Sequence, residues 1–295
     1  MPILVVGAER VVGRAAVVAL SRTGGEVRAF ADAASVRPEV LAALRGIGAR
    51  VAVGDLDDEA HLEAALTDAH TVVLLGGGPL ADPAAQLEAS SATVAAAEEA
   101  GCRRLVLASE LGAAEPAGVA YLEAVAEAEA LVAESPLEAI VLRCALRVGR
   151  GEPLVAALGS ATLPPDVAEA RHAPVFVDDV AAAIVAADAA RDDRPAADML
   201  LELVGPDTLA LGTLAAHPAV HAAPRGERAA QPHTGDAPAA LPAELWRWLA
   251  RPGCGGEEAL GRAGTPLEAA LSAPAWPPAD GSRPRRRRGR WAKEG

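Results

Sequence analysis

Lysine is all but missing from this 295-residue chain: Lys293 is the only one, so no lysine is available to a site in the body of the protein. Aromatic residues make up 2 % of the sequence, with Tyr121 the sole tyrosine. A substrate pocket therefore has few rings to draw on, chiefly Phe176, Trp246, Trp248 and Trp276. Three cysteines (Cys102, Cys144 and Cys254) form no even set with paired spacing, which argues against a disulfide framework and suits a reducing, cytoplasmic setting. No apolar run approaches the roughly 18 residues that a membrane span needs, and no basic stretch precedes an apolar one at the start of the chain. Basic residues are outnumbered 27 to 40, a net charge of −13, which excludes nucleic-acid binding through bulk charge. Six arginines and Lys293 against Glu294 give residues 282–295 a charge of +6, leaving the rest near −19.

What is present is an alternation. Short β-rich apolar runs at 3–6, 26–30, 50–53, 71–75, 104–108 and 139–143 read as strands. Alanine-rich stretches at 12–21, 38–45, 59–66, 83–100 and 119–134 read as the helices between them. The pattern predicts an α/β, Rossmann-type doubly wound parallel sheet. Beyond residue 150 it thins to a strand at 175–177, a helix at 178–190 on an aspartate cap, and a strand at 199–204. Residues 217–242 lack periodicity and read as a loop, with short closing helices at 241–250 and 266–271. The expected organisation is a dinucleotide-binding core over 1–150, a smaller substrate-side region over 151–273, and a disordered basic tail over 274–295.

Gly7-Ala8-Glu9-Arg10-Val11-Val12-Gly13 follows the first strand and opens the first helix. In a dinucleotide-binding turn of this kind the first glycine permits the tight bend. A middle one lets the backbone approach the pyrophosphate, and the last lets helix and strand pack closely. Here the end glycines stand, while Arg10 or Val11 fills the middle place. The helix amides can still face a phosphate, and Arg10 and Arg14 can add guanidinium contacts; otherwise Arg10 points to solvent or takes the pyrophosphate's place.

Taken in order, these landmarks resemble the short-chain dehydrogenase/reductase superfamily, in particular its atypical NmrA-like NAD(P)-binding branch. They are the 7–13 turn, Val27-Arg28-Ala29, Gly54-Asp55-Leu56-Asp57, Leu105-Val106-Leu107-Ala108-Ser109, Leu142-Arg143 and Val177-Asp178-Asp179-Val180-Ala181. The likeness spans about residues 1–210. It implies that Gly76 and Gly77 lie against the cofactor and that Asp55 and Leu56 contact adenine, although Asp55 also suits a helix cap. Asp32, closing the second strand, would bind an adenosine ribose hydroxyl and repel a 2′-phosphate, tilting the choice between NAD and NADP towards NAD. Arg28 and Arg37 are near enough in sequence to blur that choice.

Catalysis in the superfamily rests on a tyrosine, a lysine four residues on, and a serine. Tyr121 and Ser109 match the first and last, but Val125 stands where the lysine would be. Without that cation a tyrosine stays protonated at neutral pH and is a poor base. His217 and His221 lie four apart with Pro218 between them, which spoils a helical metal pair, and no metal is expected. Three readings follow. The first is a dinucleotide-responsive regulator of little or no turnover. The second is an NAD(P)-dependent oxidoreductase or isomerase acting on a small organic substrate through Tyr121 and Ser109. The third is an interaction scaffold without cofactor. Alanine-rich surface helices would also suit close packing in a homodimer.

Overall fold

The computed structural model describes residues 1–116, 118–149, 151–190, 199–221, 243–251, 265, 266 and 269. Short runs of Val, Ile and Leu without polar alternation have to be buried on both faces, and a parallel sheet between two helical layers does this. Strands β1 (Ile3–Val6), β2 (Val27–Asp32), β3 (Arg50–Gly54), β4 (Thr71–Leu75), β5 (Arg104–Glu110) and β6 (Glu138–Cys144) alternate with five helices. These are α1 (Val11–Ser21), α2 (Pro38–Gly46), α3 (Glu59–Leu66), α4 (Pro83–Glu99) and α5 (Ala120–Glu134).

The chain then adds β7 (Arg147–Val148), α6 (Pro153–Ser160), α7 (Pro165–Glu169), β8 (Arg171–His172), β9 (Val175–Phe176), α8 (Val177–Ala189) and β10 (Met199–Leu203). Seven strands form one parallel sheet in the order β10-β6-β5-β4-β1-β2-β3. Successive side chains of β1 point to opposite faces. Ile3 and Val5 join Val17, Leu20 and Ile184 in one core, while Leu4 and Val6 join Leu62, Leu66 and Val132 in the other.

The chain winds outward from β1 to β3, then crosses back to continue with β4 on the other side of β1. That reversal opens a crevice between the C-terminal ends of β1 and β4, the place where open α/β sheets hold their ligands.

Three expectations need correction. β5 does not stop at Ala108: pairing of Ser109 with Arg143 and Glu110 with Cys144 carries the strand through two polar residues. The helix expected at 178 begins at Val177 on Phe176, and no aspartate caps it. Asp178 and Asp179 lie in its first turn, where negative charge suits the helix dipole, and Asp179 accepts from Thr265 N (2.6 Å) and Thr265 Oγ1 (3.0 Å).

The stretch expected as loop from 217 starts with a short helix, α10 (Pro218–His221), after α9 (Leu211–Ala215) and the two-residue strand β11 (Leu209–Ala210). Pro218 has the fixed φ that suits a first helical turn. Residues 222–242 and the basic tail from 274 lie outside the described residues, as does most of the helix expected at 266–271. The other expected closing helix is α11 (Ala243–Leu249), whose Leu245, Trp248 and Leu249 are buried.

Candidate functional site

The 7–13 turn sits at the β1 side of the crevice. Gly7 has φ +81°, a conformation that favours glycine, and its amide and that of Ala8 both donate to the Phe30 carbonyl at 3.1 Å. A side chain on Gly13 would come within 2.3 Å of the Gly7 oxygen, so the helix approaches the strand as closely as glycine allows. Arg10 is the N-cap of α1 and makes no side-chain cap. Its side chain folds back over Gly7 instead, and Nη1 donates to the Gly76 carbonyl (3.1 Å) at the far side of the crevice. Nε lies 3.2 Å from Glu9 Oε1 yet is buried without a well-formed hydrogen bond. Arg10 thus neither points to solvent nor leaves the crevice open; it spans it. Val11 is partly buried and Val12 buried, both on α1.

Beyond Arg10 stand Gly76, Gly77 and Gly78. A Cβ on Gly77 would meet Gln86 Oε1 and the Ala81 methyl, both at 2.6 Å, so this loop is pressed against α4. Gln86 is buried, and its Oε1 has no hydrogen-bond partner.

Asp32 ends β2, and its Oδ1 accepts from Ala34 N at 3.0 Å. Glu9 Oε2 accepts from Asp32 N at 3.3 Å. Burial pushes the Glu9 carboxyl above its ordinary range, with Arg10 acting in the opposite sense. Asp55 is exposed, and Leu56 packs against the second core. The cap of α3 is Asp58, which accepts from His61 N at 3.1 Å, so Asp55 is not spent on that role.

Tyr121 and Ser109 do not share a partner. The Tyr121 hydroxyl donates to Glu110 Oε1 at 2.7 Å, and Arg147 Nη2 donates to the same oxygen. Arg147 Nε lies 3.9 Å from Glu152 Oε1. Ser109, one residue earlier and on the opposite pleat, donates to Glu129, which Arg143 grips through Nη2 at 2.6 Å.

Burial and the Glu110 carboxylate hold the Tyr121 hydroxyl well above the usual tyrosine range. Burial raises Glu110 and Glu152, and Arg147 opposes the shift in both. Arg147 keeps its charge despite burial because Glu110, Tyr121 and Glu152 surround it. Val125, in the lysine's place, is buried one helical turn from Tyr121. Burial pushes the neighbouring Cys144 thiol up to about 12, which leaves it inert as a nucleophile.

A cavity of about 10 Å³, roughly room for one water, is walled by Gly76, Gln86, Glu110, Tyr121, Val125 and Arg147. A far larger open groove of about 370 Å³ lies between α3 and the N-terminal ends of β2 and β3, among Arg28, Arg50 and Thr67, away from the crevice.

Glu110, Arg147 and Gln86 are the site residues that sequence reasoning missed. A carboxylate directly after Ser109, at the C-terminal end of a central parallel strand, was the available signal.

The local chemistry fits a dinucleotide: a positive-φ glycine, a helix approach that admits no side chain, and a buried guanidinium nitrogen without a hydrogen bond at the crevice mouth. The turn, the switch-point crevice and the winding of the sheet define a Rossmann-type dinucleotide-binding protein. A model of the NAD(P)H-binding family matches residues 7–190, and the chain belongs to that family.

Among solved structures, the chain is 16% identical to UDP-glucose 4-epimerase from Bifidobacterium longum in complex with NAD+ and UDP (TM-score 0.58, covering 72% of this chain and 80% of that one). It is 19% identical to UDP-glucose 4-epimerase from Thermotoga maritima with UDP-glucose (TM-score 0.60, 75% and 81%). It is also 19% identical to the Stenotrophomonas maltophila enzyme with bound NAD and formylated UDP-arabinopyranose (TM-score 0.59, 72% and 80%). At these identities the likeness is one of fold. No curated protein matches the chain.

Proposed function

We propose that this chain is an NmrA-like, dinucleotide-responsive protein of little or no turnover, whose output is a change of state when NAD(P) enters the crevice. Tyr121 carries this reading. Its proton is committed to a buried carboxylate, the residue is 2% exposed, and a valine stands where the superfamily's lysine would lower its pKa. A phenol so placed is a poor base near neutral pH. The pyrophosphate would be held by the α1 amides and Arg10, the adenosine by Glu9, Asp32, Asp55 and Leu56, and the nicotinamide side by Gly76 and Gly77. A bound nicotinamide would supply hydride chemistry, but Ser109 is tied to Glu129 and offers no hydroxyl beside Tyr121.

The second reading is an oxidoreductase or isomerase working through Tyr121. It draws support from the cavity that Tyr121, Glu110 and Gly76 share, and from epimerases among the structural neighbours. Titration with NADH and NADPH by fluorescence and thermal shift tests binding, and no response at millimolar concentration defeats both readings. Hydride transfer to a panel of quinones, aldehydes and enones, lost in Tyr121→Phe, would establish the enzyme instead of the regulator.

A further inference from the structure

The central sheet ends in a strand that has a neighbour on one side only. Among the described residues β3 pairs with β2 and with no other strand. The Gly54 carbonyl accepts from Ala33 N (3.0 Å) on the β2 side. Backbone groups alternate in direction along a strand, so Arg50, Ala52 and Gly54 spend theirs on β2, while Val51 and Val53 turn N–H and C=O outward.

The two valines and Ala52 are only half-buried, and Val51 and Ala52 border the open groove beside α3. An apolar edge strand with unspent backbone groups is a template for another strand. The two ends of this edge also differ in charge. Arg45 and Arg50 are exposed at its start, and Asp55, Asp57, Asp58 and Glu59 are exposed beyond its end.

We propose that this edge binds the same edge of a second copy of the chain, antiparallel about a two-fold axis at Ala52, so that one sheet runs through the dimer. The outward groups set the register. Val51 of one copy lies opposite Val53 of the other, and each such pair exchanges both backbone hydrogen bonds. Ala52 faces Ala52 and Arg50 faces Gly54 in the closer pairs that make no backbone bond. Gly54 has no side chain, which leaves the Arg50 guanidinium a path to the Asp55 carboxylate of the other copy. The axis makes that contact twice, as a self-complementary interface requires. Arg50 is 73% exposed, and within its own copy it meets Glu26 (3.1 Å), a carboxylate that Arg28 already holds at 2.9 Å. A parallel pairing would instead set Arg50 beside Arg50 and the acidic ends beside each other.

Sedimentation velocity of the full chain without ligand tests this. Between about 1 and 200 µM the wild type should pass from monomer to dimer, the micromolar affinity that suits so small an interface. Val53→Pro deletes an outward amide and spares those that bond β2, so the protein should stay folded by circular dichroism yet dimerise at least about tenfold more weakly. Arg50→Glu and Asp55→Arg should each weaken the dimer as well, because each sets like charges together across the axis. Mixed in equal amounts, those two variants should recover most of the loss, since every contact across the axis then joins opposite charges. A wild type that stays monomeric throughout, a dimer that a folded Val53→Pro protein forms equally well, or a mixture no tighter than its components would overturn the proposal. An unchanged dimer in all three variants would place the interface on another face, such as the alanine-rich helices.

Discussion

Tyr121 gives the residue scale its sharpest test, because it is the only phenol in the chain and its ionisation can be followed alone by ultraviolet absorbance. Burial and the adjacent Glu110 carboxylate raise its pKa, so phenolate should form only well above pH 10. Glu110→Gln should lower that midpoint by removing the negative charge. The sign for stability follows from linkage. The unfolded chain loses the tyrosine proton near pH 10 while the folded one keeps it, so stability falls as pH rises beyond that point. A wild-type midpoint at the ordinary tyrosine value would show that the hydroxyl is not held by Glu110.

Arg147 is the counterpart. Removing it in Arg147→Met strands Glu110 without its guanidinium, and denaturant unfolding should register a loss of about 3–5 kcal/mol. Pairing it with Glu110→Gln should recover much of that loss.

At the scale of elements, the buried Arg104 ties the start of β5 to the end of α8. Its Nη1 donates to the carbonyls of Ala187 and Asp188, both at 3.0 Å, while Nη2 reaches Glu138 at 2.7 Å. Arg104→Met should cost about 3 kcal/mol by leaving two helix-end carbonyls and a carboxylate short of a donor; hydrogen exchange should place the loosening at the C-terminal turn of α8.

Gly13→Ala should be costly as well. The added methyl would lie 2.3 Å from the Gly7 oxygen and 2.8 Å from the Ala8 Cα, both backbone atoms with little room to yield. Thermal unfolding should show a loss of about 1–3 kcal/mol, the usual range for overpacking.

The strands of the core were legible because Ile3 to Val6 and Thr71 to Leu75 are apolar runs that only a two-sided burial explains. Glu110 was not, since a charge ending an apolar run reads as the end of a strand; only pairing with β6 keeps it in the ladder. Arg147 was hidden for a related reason. Its partner is 37 residues away in sequence, and no local pattern encodes a long-range ion pair. The glycine turn could be read at once, but where the Arg10 side chain lies depends on the Gly76 carbonyl, 66 residues on.

For the molecule as a whole, the crevice divides the sheet into a β1-β2-β3 half and a β4-β5-β6-β10 half, and a dinucleotide would touch both. Saturating NADH at about a hundred times its dissociation constant should add about 2.7 kcal/mol to the unfolding free energy, seen as a rise in Tm. The charge balance sets a second whole-molecule expectation. The body is strongly acidic, so any attraction to polyanions has to come from residues 282–295, and removing them should abolish salt-sensitive retention on heparin.

The Arg10 span from the glycine turn to Gly76 has a consequence in time as well as in place. A pyrophosphate held at this turn would meet a guanidinium already bonded to the opposite lip, and that bond would have to break before the phosphates could settle. Association measured by stopped flow should therefore level off at high ligand concentration, the mark of a unimolecular step between encounter and the final complex. In Arg10→Ala the plateau should vanish and the observed rate should climb linearly, even if the complex that forms is weaker.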